Sequence, residues 1–237
     1  MERLQKVIAN AGYCSRRKAE QLISEGKVSV NGEIVTKLGT LASEKDEIII
    51  EGKRLFKEKF VYYLLNKPRN CVTTNKDDRN RPIARDFLKD VKERIYPVGR
   101  LDFDTTGALL FTNDGDLTNK LTHPRYQVKK VYIVTLKGEA KDLERLNDPV
   151  ILDDGSKATV KEYEVLKKNK DKTIVKLTLM EGKNHEVKRI FEALGEEVIK
   201  LNRESFADIS TIGLKEGMYR KLRDNEIKYL KSLKGEK

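Results

Sequence analysis

With 237 residues, 38% of them hydrophobic and 37% charged, the chain can fill one large core or a small domain plus a medium one. Lys and Arg number 49 against 38 Asp and Glu, and the resulting +11 favours a polyanionic partner, nucleic acid first, over a merely lysine-rich surface. Two distant cysteines (Cys14, Cys71) and two histidines exclude a disulfide framework and a structural zinc cluster, and no run nears the roughly 20 apolar residues of a membrane span, so a cytoplasmic protein is expected.

In chain order, Leu4, Val7, Ile8 and Ala11 stand at helical spacing and Gly12 closes the segment. Ser15 is then the N-cap of a second predicted helix that opens on Arg16, Arg17 and Lys18 and stops at Gly26. Residues 27–35 alternate about Asn31-Gly32, a hairpin signal, and residues 47–50 predict a further strand that ends at Glu51-Gly52. Residues 1–59 therefore read as a small domain of two helices and a hairpin sheet. Its 12 Lys and Arg exceed its 9 Asp and Glu by only three, so the bulk charge lies elsewhere and only the local cluster speaks for RNA.

That arrangement, with Ser15-Arg16-Arg17 at the second helix and a Val30-Asn31-Gly32 turn after it, resembles the RNA-binding module of small-subunit ribosomal protein S-four. The resemblance implies that Arg3, Arg16, Arg17 and Lys18 contact RNA phosphates. Taken singly, each cation fits a solvated helix face as well.

A second domain is expected over residues 60–237. Residues 60–65 read as a buried strand stopped by Asn66-Lys67-Pro68. Helices are predicted near 83–88, 185–194 and 225–233, strands at 131–136, 173–179 and 197–201, and a solvated hairpin tip at 167–172. Without regular βαβ spacing, the fold class is α+β with a mixed, mostly antiparallel sheet.

The segment from Gly99 through Arg100, Leu101, Asp102, Phe103, Asp104, Thr105 and Thr106 to Gly107 is a polar loop that feeds an apolar strand ending at Asn113-Asp114-Gly115. An acidic group on such a loop, beside Arg100 and at the end of a buried strand, has the setting of a catalytic carboxylate. A surface loop with structural Asp caps accounts for the same residues.

This loop is similar to the signature of the RsuA and RluB type pseudouridine synthases of ribosomal RNA. Further segments match in the same order: Leu65-Asn66-Lys67-Pro68, His123-Pro124 followed by Lys130-Val131-Tyr132, and Glu181-Gly182-Lys183-Asn184-His185-Glu186-Val187-Lys188-Arg189. The likeness spans essentially the whole chain, and residues 1–8 look most like the large-subunit RluB branch. It implies Asp102 as the essential catalytic residue, Lys188 as the cation beside it, Tyr132 as the platform for a flipped uracil, Arg100 as a holder of the RNA and Lys67 among the RNA contacts. It also implies ribosomal RNA as partner, free or in an assembly intermediate, with neither cofactor nor metal; a monomer is expected.

Isomerising uridine breaks the glycosidic bond, turns the base and rejoins it through a ring carbon, so the base must leave the RNA stack. An ionised carboxylate serves there as nucleophile toward sugar or base, or as base toward a sugar proton, and the sequence leaves these routes open. Lys188 and Glu186 depart from the arginine and glutamine common at those positions, so a point charge replaces a bidentate fork and the pairing with Asp102 is expected to be looser. Arg189, about 100° further round a helix, is expected to face elsewhere.

Two other functions draw on the same residues. A non-catalytic RNA-binding assembly factor requires a damaged site, yet Asp102, Tyr132 and Lys188 are all present. A nuclease or glycosidase would pair Asp102 with Asp104, but side chains two apart on an extended loop are expected to diverge. A metal cluster of Asp104, Asp114 and Asp116 competes with a plain turn at Asn113-Asp114-Gly115. His185, at a helix start, reads as a structural donor before a general base, and His123 as a turn element.

Overall fold

The apolar stripe beginning at Leu4 folds as helix α1 (Leu4–Asn10), and Ser15 caps helix α2 (Arg16–Ser24) by accepting the Lys18 amide at 3.2 Å. This computed structural model describes residues 1–43, 45–74 and 77–235. Strands β1 (Val28–Val30) and β2 (Glu33–Ile34) join through Asn31 and Gly32, whose φ values of 52° and 87° suit a two-residue hairpin turn. On the other edge of β1 lies β3 (Ile48–Ile50), which turns back through Glu51 and Gly52 into β4 (Lys53–Arg54). Leu4, Ile8, Leu22 and Ile23 of the helices close a core with Val28, Ile48 and Ile50 of the sheet, each removed from water at about 25 cal/mol per Å². This first unit comprises Met1–Val61, Val91–Ile95 and Asn113–Gly115.

The second unit, Tyr62–Asp90, Tyr96–Thr112 and Asp116–Lys237, is built on one sheet. Its strands are β5 (Tyr62–Lys67), β6 (Thr106–Thr112), β7 (Lys130–Lys137), β8 (Glu162–Lys168), β9 (Lys172–Leu179), β10 (Val198–Phe206) and β11 (Tyr219–Lys221). They run side by side in the order β8, β9, β7, β10, β6, β5, β11. Every neighbouring pair along that path is antiparallel except β6 and β10, which run parallel with Gly107 opposite Arg203. The expected α+β class with a mostly antiparallel sheet therefore holds, and residues 169–171 form the expected hairpin tip.

Three helices cover the sheet. Helices α3 (Gly115–Thr122) and α5 (Asp224–Ser232) bring Leu117, Leu121 and Leu230 onto Leu64, Leu110 and Phe206. Helix α4 (Glu186–Ala193) brings Val187, Ile190 and Phe191 onto Val134, Leu177 and Leu201 in a separate core. No helix among the described residues is long and apolar enough to cross a membrane.

Three local expectations change. The strand expected at 60–65 begins at Tyr62, and the helix expected at 83–88 is a short 3-10 segment, Ala84–Leu88. Asn113-Asp114-Gly115 is not a plain turn but the lead into α3. Asn113 is 1% exposed; its side-chain carbonyl accepts the Val61 amide at 2.9 Å and its amide donates to the Lys59 carbonyl at 3.0 Å. Helix α3 offers only two apolar residues, Leu117 and Leu121, too few for its period to stand out.

Candidate active site

The loop leading into β6 hangs on one lysine. Lys67 ends β5 with no exposed surface, and its ammonium donates to the carbonyls of Asp102 (2.9 Å), Thr105 (2.8 Å) and Pro68 (3.1 Å), with a longer contact to Phe103 at 3.5 Å. Burial pushes it below the ordinary lysine range, while the neighbouring Cys71, Asp102 and Asp104 act the other way. The placement among RNA contacts that the resemblance implies is thus corrected, because a fully buried ammonium cannot reach a phosphate. Lys67 shapes the loop that carries Asp102. Thr73 holds the same loop, its hydroxyl donating to the Leu101 carbonyl at 2.8 Å.

Gly107 anchors the far end. Its φ is +108°, and a Cβ there would overlap the Arg203 carbonyl oxygen, so the parallel pairing of β6 with β10 requires glycine.

Asp102 is one-quarter exposed. Its Oδ2 lies 3.0 Å from His185 Nδ1 and 3.8 Å from Lys188 Nζ. Lys188 is not chiefly the partner of Asp102: its ammonium bonds both oxygens of Asp104, at 2.6 and 2.8 Å. Against the penalty of burial, that ammonium holds Asp104 below the usual carboxylate range. The expected divergence of Asp102 and Asp104 fails for a local reason. The Thr105 amide donates to the Asp102 carbonyl at 3.2 Å, so the backbone turns here and both carboxylates approach one cation.

His185 precedes α4 with φ of +51° and makes no capping bond. Its ring instead lies against Asp102, Nδ1 standing 3.0 Å from Oδ2. Next to it, Glu186 is 4% exposed; one carboxyl oxygen accepts the Lys183 amide at 2.9 Å, and burial pushes the group above the usual range. Arg189 does face elsewhere, with its guanidinium on Asp153 and Asp154.

Beneath these groups, Tyr132 on β7 is 8% exposed and pairs in register with Arg203 on β10. Burial pushes its phenol up, the Arg203 guanidinium opposing. Arg203 belongs to no motif of the sequence, yet it is buried, donates from Nε to the Ala108 carbonyl at 2.8 Å and stacks 4.8 Å over the Phe206 ring. The available signal was period two: Arg203 stands two residues after buried Leu201, on the same side of the strand. Arg100 is exposed, and with Asp102, Thr105, Tyr132, His185 and Glu186 it lines a narrow cleft. Arg79, Arg81, Arg100, Asp102 and His185 line an adjoining groove of about 370 Å³.

In the first unit, Arg3, Arg16, Arg17 and Lys18 are all exposed. The last three stand in the first turn of α2, which has no acidic residue, although a helix N-terminus disfavours cations there by about 0.3–1 kcal/mol each.

The sequence matches two family profiles, RNA pseudouridylate synthase over residues 61–193 and S4 domain over residues 2–48. It is 48% identical to ribosomal large subunit pseudouridine synthase B of Bacillus subtilis (strain 168), across 98% of this chain and 97% of that one. An RNA pseudouridine synthase of Aquifex aeolicus (strain VF5) is 37% identical across 96% of this chain and 93% of its own length. Among solved structures, a crystal structure of pseudouridylate synthase superposes with a TM-score of 0.69 at 33% identity, over 97% of this chain and 100% of that chain. With its carboxylate-bearing loop, its buried tyrosine and its S4 domain, this chain belongs to the RNA pseudouridylate synthase family.

Proposed function

We propose that this protein isomerises a defined uridine of large-subunit ribosomal RNA to pseudouridine, with Asp102 as the catalytic carboxylate and without a cofactor. One observation carries the reading: Asp102 sits on a loop pinned by Lys67 and Thr73 and lines the cleft, with His185 and Lys188 beside its carboxylate. The carboxylate meets the nucleoside, whether it attacks sugar or base or takes a sugar proton. A base turned out of the RNA lies against Tyr132, and Lys188 offsets part of the charge of the two carboxylates. Arg100, on the rim, holds the RNA.

The choice of the large subunit rests on the name of the Bacillus relative. Arg3, Arg16, Arg17 and Lys18 grip the RNA backbone; three of them sit where the helix dipole opposes them, which suits a polyanionic partner. The protein acts as a monomer in the cytoplasm, on free RNA or an assembly intermediate.

The test is to incubate purified protein with large-subunit and, separately, small-subunit ribosomal RNA lacking modifications and map pseudouridine by chemical labelling and primer extension. One site should appear with the wild type and none with Asp102→Asn. Pseudouridine formed by Asp102→Asn overturns the assignment of the carboxylate, and a product found in small-subunit RNA alone overturns the choice of substrate.

A further inference from the structure

We infer that Glu186 and Thr105 read the polar edge of the turned-out uracil: the Glu186 carboxyl accepts its N3–H, and the Thr105 hydroxyl donates to a carbonyl beside it. The inference rests on the uridine-isomerising reading above. Six buried side-chain polar atoms have no hydrogen-bond partner among the described residues. Two of them, Glu186 Oε1 and Thr105 Oγ1, belong to residues that line the cleft with Asp102 and Tyr132. Glu186 is 4% exposed and Thr105 2%. Polar atoms so buried ordinarily hold a partner, so an acceptor and a hydroxyl left over on one cleft point to a ligand that serves both.

The other polar groups of these two residues are already committed. Glu186 opens α4, and its Oε2 accepts the Lys183 amide at 2.9 Å, which leaves Oε1 for a ligand. Thr105 is the last residue before β6; its amide donates to the Asp102 carbonyl at 3.2 Å and its carbonyl accepts from Lys67 at 2.8 Å. Its hydroxyl can donate. Uracil presents carbonyl, N–H and carbonyl along one edge, the complement of a donor beside an acceptor. Cytosine presents a carbonyl, a bare nitrogen and an amino group, so its N3 would meet the Glu186 oxygen acceptor to acceptor. The same edge suits the turning of the base. A half-turn about the line from C6 to N3 exchanges N1 with C5 and one carbonyl with the other, but leaves N3–H in place. Glu186 therefore keeps its bond throughout, and Thr105 meets a carbonyl before and after.

The test uses two synthetic RNA fragments spanning the uridine that the wild type modifies, one with uridine there and one with 3-methyluridine, which keeps both carbonyls and lacks the N–H. Turnover is read on both as release of tritium from C5, lost when C5 joins the sugar. A site built to bond a substrate N–H rejects the analogue without it by about 10,000-fold, so the wild type should prefer uridine by about 1,000-fold or more. Glu186→Ala removes the acceptor and makes room for the methyl group; it should slow uridine about 100-fold and cut the preference below about tenfold. Glu186→Gln retains an acceptor oxygen and should keep the preference, with uridine turnover within about tenfold of the wild type. Thr105→Val is isosteric and leaves both backbone bonds intact, yet should slow uridine about tenfold. An unchanged preference in Glu186→Ala, or an unchanged rate in Thr105→Val, overturns the assignment of that residue. A wild type that turns over both fragments equally overturns the inference alone, whatever the variants do. A wild type that makes no pseudouridine in any ribosomal RNA overturns the functional reading and this inference with it.

Discussion

Replacing Lys67 with methionine tests how the loop is held. The substitution keeps length and volume but removes three hydrogen bonds of 2.8–3.1 Å to the carbonyls of Asp102, Thr105 and Pro68. Hydrogen bonds from a charged donor contribute about 1.5–3 kcal/mol each, so the gross loss is roughly 5–9 kcal/mol. Removing a buried ammonium also relieves several kcal/mol of desolvation. The net destabilisation should be about 2–4 kcal/mol, read from urea unfolding at pH 7. Catalysis should suffer more than this, because the freed Asp102 carbonyl lets the carboxylate shift and a displacement near 1 Å costs about 100-fold. Single-turnover pseudouridine formation should fall by that order while RNA affinity stays unchanged. A Lys67→Met protein that keeps kcat within about threefold would refute the reasoning, since the loop would then be held by other contacts.

Gly107→Ala should destabilise the protein by about 3 kcal/mol or more, because φ of +108° and the Arg203 carbonyl both reject a Cβ; an unchanged thermal midpoint would contradict the packing described. Reversing Arg16 and Arg17 to glutamate should weaken RNA binding and lower the salt slope of log K by about 1.4 or more, and equal slopes in a salt titration would remove both residues from the interface. Lys130 gives a pH test: burial holds it at about 8, below the 10.5 of a free lysine. A cation more easily deprotonated in the folded state penalises folding fully below pH 8, and the penalty fades between pH 8 and 10.5. Lys130→Met should therefore be more stable than the wild type at pH 7 by at most about 3 kcal/mol, with the difference shrinking by pH 10, and a constant difference in urea midpoints would contradict the shift.

Local signals in the sequence were read well where the physics is local. Ser15, Asn31-Gly32 and the apolar period of α1 each act within a few residues, so the first unit was legible. The second unit was legible in class but not in its details. Lys67 looked like one more surface cation because nothing local reveals that three carbonyls from residues 102–105 and 68 converge on it. His185 was set aside because its partner lies 83 residues away, and Asp104 because the turn that aims it beside Asp102 is set by a single backbone hydrogen bond. Arg203 alone leaves a trace, an inward-facing charge in a strand.

The position of β10 also bears on when the enzyme becomes competent during its own synthesis. This strand, Val198–Phe206, lies between β7 and β6, so among the described residues it joins the half of the sheet bearing Tyr132 to the half bearing the Asp102 loop. A nascent chain that has emerged as far as residue 190 already carries Asp102, Tyr132, His185 and Lys188, yet has no strand to hold them in one cleft. Contacts of such long sequence separation form late. The Asp102 loop and Tyr132 can therefore share a cleft only after residues 198–206 have been made and paired.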